Sequence, residues 1–302
     1  MANLSVEICG VKFKNPVIAA SGTYGFGREF NEVYDISQIG GISTKGMTLE
    51  PRVGNPVPRI AEGDSVILNA VGLQNPGVES FIEKDLGYLK SKGVVIIANV
   101  AGKTLEDYGK ICARLNGLVD FVELNISCPN VKAGGAAFGV TCDGASQITK
   151  IVRAATKKPV MMKLSPNVTN IAEIAKAVEA EGADAVSLIN TLLGMRIDIK
   201  TRRPILHNNV GGLSGPAVFP VAVRMVWQVA NAVKIPVCGM GGISTWQDAV
   251  EMMMAGASTF QIGAALFADP MAPVKIIEGL EKYVQDNGLS NLQDIVGTVK
   301  PW

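Results

Sequence analysis

The chain has 302 residues, 33 of them Gly, with 48% in the hydrophobic class and 18% charged, and its 28 Lys+Arg against 27 Asp+Glu leave a net charge of +1. This length fits one large barrel or two mid-sized domains, and the balanced charge, without runs of one sign, argues against a nucleic-acid binder. The lone histidine, His207, rules out His-rich metal sites, and five cysteines with no C-x-x-C pair argue against a disulfide framework or cluster ligation within this chain.

The start, MANLSVEICG, has neither the basic nor the apolar region of a secretory signal, and no apolar run approaches the ~18 residues of a spanning helix. A cytoplasmic protein without membrane attachment is expected. Residues 4–16 (LSVEICGVKFKNP) alternate around Cys9 and Gly10 like a hairpin that closes one end of a barrel. Short apolar runs then predict strands at 16–20, 40–43, 94–100, 121–126, 159–164, 185–189, 236–238 and 259–262. Most are continuous rather than alternating, the pattern of strands buried on both faces. Helical spacing predicts helices over 76–92, 171–181, 215–233 and 245–255, the last behind a capping residue at Ser244. This strand-helix alternation implies an α/β fold, a (β/α)8 TIM barrel. It forms a single domain over residues 1–302, with an N-terminal β-hairpin and loop insertions at the C-terminal face, placed at 48–64 and 130–144.

The strand ends, where a barrel builds its site, are rich in carboxamides and lysines and poor in carboxylates: Ser21, Lys45 with Gly46, Asn99, Asn125, Lys163, Asn190 with Thr191, and the turns GMGG at 239–242 and GAA at 263–265. Such a mouth suits an oxygen-rich, anionic, planar ligand and lacks the paired carboxylates of a glycosidase. Gly241, Gly242, Gly263 and Ala264 follow the last two strands, the usual barrel phosphate site. Glycine there also serves positive φ alone. Cys128, in NISCPN, follows a strand end and precedes a Gly-rich stretch that could close as a lid. Its chemistry leaves two readings open, a thiolate base or a small buried hydrophobe. Cys9, Cys112, Cys142 and Cys238 read as structural, as do Met252, Met253 and Met254; His207 reads as structural or surface. Asn69 and Asn75 read as turn formers or ligand contacts.

The set Ser21-Gly22, STKG (43–46), NAVGLQNPG (69–77), ELNISCPN (123–130), KLSPN (163–167), INT (189–191), GGLSGP (211–216) and GMGGI (239–243) resembles dihydroorotate dehydrogenase over nearly the whole chain. Cysteine in NISCPN resembles the soluble class 1, and NISCPNVKAGG with NAVGLQNPG resembles class 1B. The resemblance implies an FMN-dependent, NAD+-linked oxidoreductase of pyrimidine biosynthesis that converts dihydroorotate to orotate. Cys128 would take the C5 proton while hydride leaves C6 for the flavin. It implies substrate contacts from Lys45, Asn69, Ala70, Val71, Gly72, Leu73, Asn125, Asn190 and Thr191. It implies FMN contacts from Ser21, Lys45, Gly46, Asn99, Asn125, Lys163, Ile189, Gly215, Gly241, Gly242, Gly263 and Ala264. Partners implied are a second copy and a subunit carrying FAD and a [2Fe-2S] cluster, together a heterotetramer. Gly46 and Ala264 stand where the family usually has Thr, which removes side-chain hydroxyls but leaves backbone N–H contacts. Alternatives are a fumarate-using class 1A homodimer or a dihydropyrimidine-reducing relative, a flavin-free phosphate-binding barrel lyase or isomerase, and a flavin electron carrier without chemistry of its own.

Overall fold

In a computed structural model that describes residues 3–126 and 138–302, the predicted apolar runs become eight parallel strands. They are β1 (Val17–Ala19), β2 (Gly41–Ser43), β3 (Val95–Val100), β4 (Phe121–Asn125), β5 (Val160–Lys163), β6 (Ala185–Leu188), β7 (Val237–Met240) and β8 (Thr259–Ile262). Each pairs with the next in chain order, and β8 returns to β1 with Phe260 opposite Val17 and Ile262 opposite Ala19, closing the barrel. Strands without an edge and covered on both faces need no alternation of polar residues, which is why they read as continuous apolar runs.

Successive side chains still point to opposite faces. Ile42, Ile96, Val122, Met162, Val186 and Phe260 face outward into one large core under the helices. At ~1.5–3 kcal/mol for each fully buried large side chain, this layer supplies most of the apolar stabilisation. Ile18, Ile97, Phe121, Met161, Ala185 and Cys238 face inward and fill the bottom of the barrel together with Val6, Ile8 and Phe13. The last three come from the hairpin Val6–Ile8 and Val11–Phe13, whose turn residues Cys9 and Gly10 both have positive φ (51° and 73°), as a two-residue hairpin turn requires. Phe13 meets Phe121 with ring centroids 6.0 Å apart, so the expected bottom closure is what the hairpin does.

The helices depart from expectation in detail. The 76–92 prediction becomes two pieces, Val78–Lys84 and Leu86–Ser91, broken at Asp85. The 215–233 prediction becomes a 3-10 turn, Pro216–Val218, followed by Phe219–Ala230. For Trp246–Met254 the cap is Thr245 rather than Ser244, because Thr245 and Asp248 form a reciprocal capping box. Helix Cys142–Ala155, capped by Thr141, begins inside the predicted 130–144 insertion, so that insertion is shorter than expected; residues 130–137 lie outside the described residues.

The 48–64 insertion is present but incomplete as predicted. Its end, Ile60–Gly63, pairs with Val66–Asn69, and that hairpin joins Gly211–Ser214 and Leu192–Gly194 in a four-stranded antiparallel sheet. The excursion between residues 192 and 214 was not foreseen, since its strands are short and half-exposed. Both segments rise from the C-terminal face and wall the barrel mouth.

Candidate active site

A cavity of about 490 Å³ opens at that mouth. Strand-end residues Ser21, Lys45, Asn125, Lys163, Ile189, Asn190 and Thr191 wall it, with Gly241 and Gly242 after β7 and Gly263 and Ala264 after β8. From the added sheet come Asn69, Val71, Gly72, Leu73 and Gly215. Three residues named from the sequence stand outside the wall. Ala70 lies between Asn69 and Val71, so its side chain turns the other way into a small cluster with Leu68 and Leu206. Gly46 and Asn99 are buried behind the wall, and a Cβ on Gly46 would come within 2.8 Å of Asn99 Oδ1. The glycine that replaces the usual Thr therefore accommodates that carboxamide. Cys128 lies outside the described residues.

Local chemistry explains how the polar wall is held. Asn75 is a clamp rather than a wall residue: its Oδ1 accepts from Thr48 N at 3.1 Å and Gly77 N at 2.9 Å, and its Nδ2 donates to Leu73 O at 2.6 Å. The turn it secures passes through Gly72 at φ 77°, where a Cβ would strike the Asn55 carboxamide at 2.5 Å. On the opposite side the carboxamides brace one another. Asn190 Nδ2 donates to Asn125 Oδ1 at 3.2 Å, Asn190 Oδ1 accepts from Thr191 N at 2.8 Å, and Asn167 Nδ2 donates to Thr191 O at 3.0 Å. Tyr108 donates its hydroxyl to Asn125 O at 2.9 Å.

The turn after β7 is dictated by sterics. Gly241 and Gly242 have φ of 119° and 81°, and a Cβ on Gly242 would sit 2.7 Å from Phe219 Cβ. Among the described residues, the N–H groups of Gly241, Gly242, Gly263 and Ala264 have no acceptor. Four unpaired donors along one edge of a cavity make an anion cradle.

Beneath the floor lies a group the sequence reading passed over. Glu123 on β4 is fully buried. Its Oε2 accepts from Ser43 Oγ at 2.6 Å and Asn99 Nδ2 at 2.7 Å, and its Oε1 accepts from Ser187 Oγ and Gln261 Nε2, each at 2.7 Å. Burial alone would push this carboxyl up. The Lys163 charge and the donated hydrogen bonds outweigh it and hold the carboxyl below its ordinary value of 4.5. Lys163 itself is buried, and its Nζ donates to Ser21 Oγ at 3.4 Å. The signal was available: Phe121 faces inward, so Glu123 and Asn125 must as well. Wall residues also missed were Ala20, Thr23, Ile60, Glu62, Ile67, Leu213, Ser214, Val218, Gln261 and Phe267, most of them on the added sheet or one strand position below the mouth.

Of the other cysteines, Cys112 and Cys238 are buried and burial pushes both thiols up to about 12. Cys9 is pushed up to about 11 by burial, then by the nearby Asp184 charge. These are inert thiols. Met252 and Met253 are buried core, and His207 is exposed. Among the described residues, no three His, Cys, Asp or Glu side chains group as metal ligands, and no helix is long and apolar enough to cross a membrane.

A closed parallel barrel whose mouth combines a buried lysine, braced carboxamides and unpaired backbone donors after its last two strands defines a (β/α)8 barrel protein with a polar, donor-rich pocket at its C-terminal face. The family profile described as Dihydroorotate dehydrogenase matches residues 3–284, and the chain belongs to that family. It is 55% identical over 302 residues to the dihydroorotate dehydrogenase B (NAD(+)), catalytic subunit, of Bacteroides thetaiotaomicron, covering 99% of this chain and 100% of the relative. It is 51% identical over 299 residues to the protein of the same name from Geotalea uraniireducens, and 52% over 296 residues to that of Alkaliphilus oremlandii, each pair covering 98% of both chains.

Proposed function

We propose that this chain oxidises dihydroorotate to orotate in pyrimidine biosynthesis, as the FMN-bearing catalytic subunit of an NAD+-linked enzyme. The observation that carries this reading is the convergence of Lys45, Lys163, Asn69, Asn125 and Asn190 on one cavity, in a chain of this family. The residues present fit FMN. A volume of about 490 Å³ lies within the ~300–1,000 Å³ of small-ligand sites. The unpaired N–H groups of Gly241, Gly242, Gly263 and Ala264 suit its phosphate. Ser21, Lys163, Ile189 and Gly215 line the same cavity and would flank the ring, while Gly46 and Asn99 support that wall from behind.

FMN bound there supplies the acceptor for hydride from C6 of dihydroorotate. Cys128, three residues past Asn125 in the sequence, removes the C5 proton as a thiolate. Asn69, Asn125, Asn190 and Thr191 hold the pyrimidine edges, whose fixed donors and acceptors match braced amides, and Lys45 pairs with the carboxylate. Lys163 places a buried cation where negative charge develops. A partner subunit bearing FAD and a [2Fe-2S] cluster would supply the route for the electrons to NAD+. Exposed Leu193, Met195, Ile197 and Ile199 on the added segment give a second copy an apolar surface to cover, consistent with a heterotetramer. The relatives' shared name, with both "NAD(+)" and "catalytic subunit", supports this division of labour.

With the partner subunit present, dihydroorotate turnover is expected with NAD+ and not with fumarate. Fumarate-linked turnover by the chain alone would replace this assignment with a class 1A homodimer.

A further inference from the structure

We propose that Glu123 is a positioning residue for electron transfer: its buried charge, one layer beneath the cavity, draws on Lys163 and opposes the field Lys163 lends the bound flavin, which keeps the flavin's two-electron potential low. The inference rests on the flavin reading above. Ile97, Phe121, Met161, Ala185 and Cys238 fill the rest of this floor with apolar groups. Replacing a buried ion pair by well-packed apolar residues is often neutral or stabilising, so packing gives no reason for a charge here. The reason lies in what stands above it.

Glu123 and Asn125 face the same way on β4, two residues and ~6.6 Å apart along the strand. Asn125 lines the cavity and pairs in register with Lys163, which lines it too. The carboxylate therefore lies one layer below both. Its four hydrogen bonds come from neutral groups on β2, β3, β6 and β8, which fix its place without cancelling its charge. Lys163 is the cation whose field it feels. A hydride carries two electrons and one proton, so reduction by hydride leaves the flavin ring with one more negative charge. Lys163 favours that charge and Glu123 disfavours it. At an effective dielectric of ~20, a unit charge ~7–10 Å from another changes an equilibrium by ~10-fold or more. NAD+ is a weak oxidant, and a flavin that holds its electrons tightly could not pass them toward it.

The test measures the potential of bound FMN by anaerobic titration against a reference dye, followed at the flavin band. Glu123→Gln keeps the shape and removes the charge. It is expected to raise the ratio of reduced to oxidised flavin at a given poise by ~10-fold or more, which is about 30 mV for two electrons. Ser187→Ala removes one donor from the carboxylate and leaves its charge, so its potential should stay close to wild type even where thermal stability falls. If Glu123→Gln does not fold, Lys163→Met and Lys163→Met/Glu123→Gln, both at saturating FMN, must differ by the same rise. A Glu123→Gln potential equal to wild type, or a shift that Ser187→Ala reproduces in full, would overturn the inference alone. A wild type that binds no FMN would overturn the functional reading and the inference together.

Discussion

Cys128→Ala is expected to slow the anaerobic reduction of the flavin by dihydroorotate by at least ~10²-fold, the lower end of what a positioned general base contributes. FMN content and orotate binding should stay close to wild type, because the carboxamides and lysines that hold these ligands are separate from the thiol. A small apolar replacement leaves no group at this position able to take the C5 proton. Cys112 and Cys238, buried and pushed up to about 12, offer no substitute thiolate. Stopped-flow absorbance at the flavin band reads the step directly, and reduction at the wild-type rate would assign the proton to another group.

Lys163→Met should have the second-largest effect, on stability and cofactor retention together. Lys163 is buried, and its charge is the first of the influences that hold the Glu123 carboxyl down against burial. Removing it leaves a buried carboxylate without its compensating cation, a change that costs about 3–5 kcal/mol. The pH dependence follows from the direction of the shift. In wild type Glu123 is lowered, so its contribution is fully present above its ordinary value of 4.5 and is lost as pH falls through the lower native value. In Lys163→Met burial dominates and the carboxyl rises, so the penalty is largest at neutral pH and shrinks as acid protonates Glu123. Thermal melts of both proteins at neutral and mildly acid pH measure this. Adding Glu123→Gln to Lys163→Met should recover part of the loss; a penalty independent of pH and of Glu123 would show that Lys163 acts by packing alone.

The barrel was legible because its strands are buried on both faces and therefore announce themselves as apolar runs. The bottom closure was legible because the Val6–Ile8 and Val11–Phe13 hairpin alternates about a turn that tolerates positive φ. The Leu192–Gly194 and Gly211–Ser214 strands were not, since Gly211–Ser214 pairs with Val66–Asn69, more than a hundred residues away in the chain, and Leu192–Gly194 joins the sheet only through Gly211–Ser214. The strand-end residues that wall the cavity were legible because a barrel opens its pocket at the C-terminal ends of its strands. Glu123 and Gln261 escaped because they sit one inward position lower, in runs whose apolar neighbours face the other way. Ala70 shows the converse: a contiguous motif, NAVGL, does not turn all its side chains to one side. Asn75 and Gly72 shape the backbone around the cavity, Asn75 by clamping it with its side-chain carboxamide and Gly72 by fitting beside Asn55.

The central claim is that this cavity brings dihydroorotate to bound FMN. The direct measurement is the visible spectrum of the purified holo-protein before and after anaerobic addition of dihydroorotate. The account predicts flavin bands that bleach as orotate accumulates in equal amount, and return on reoxidation. A colourless protein that takes up no FMN, or flavin bands that dihydroorotate leaves unchanged, would contradict it.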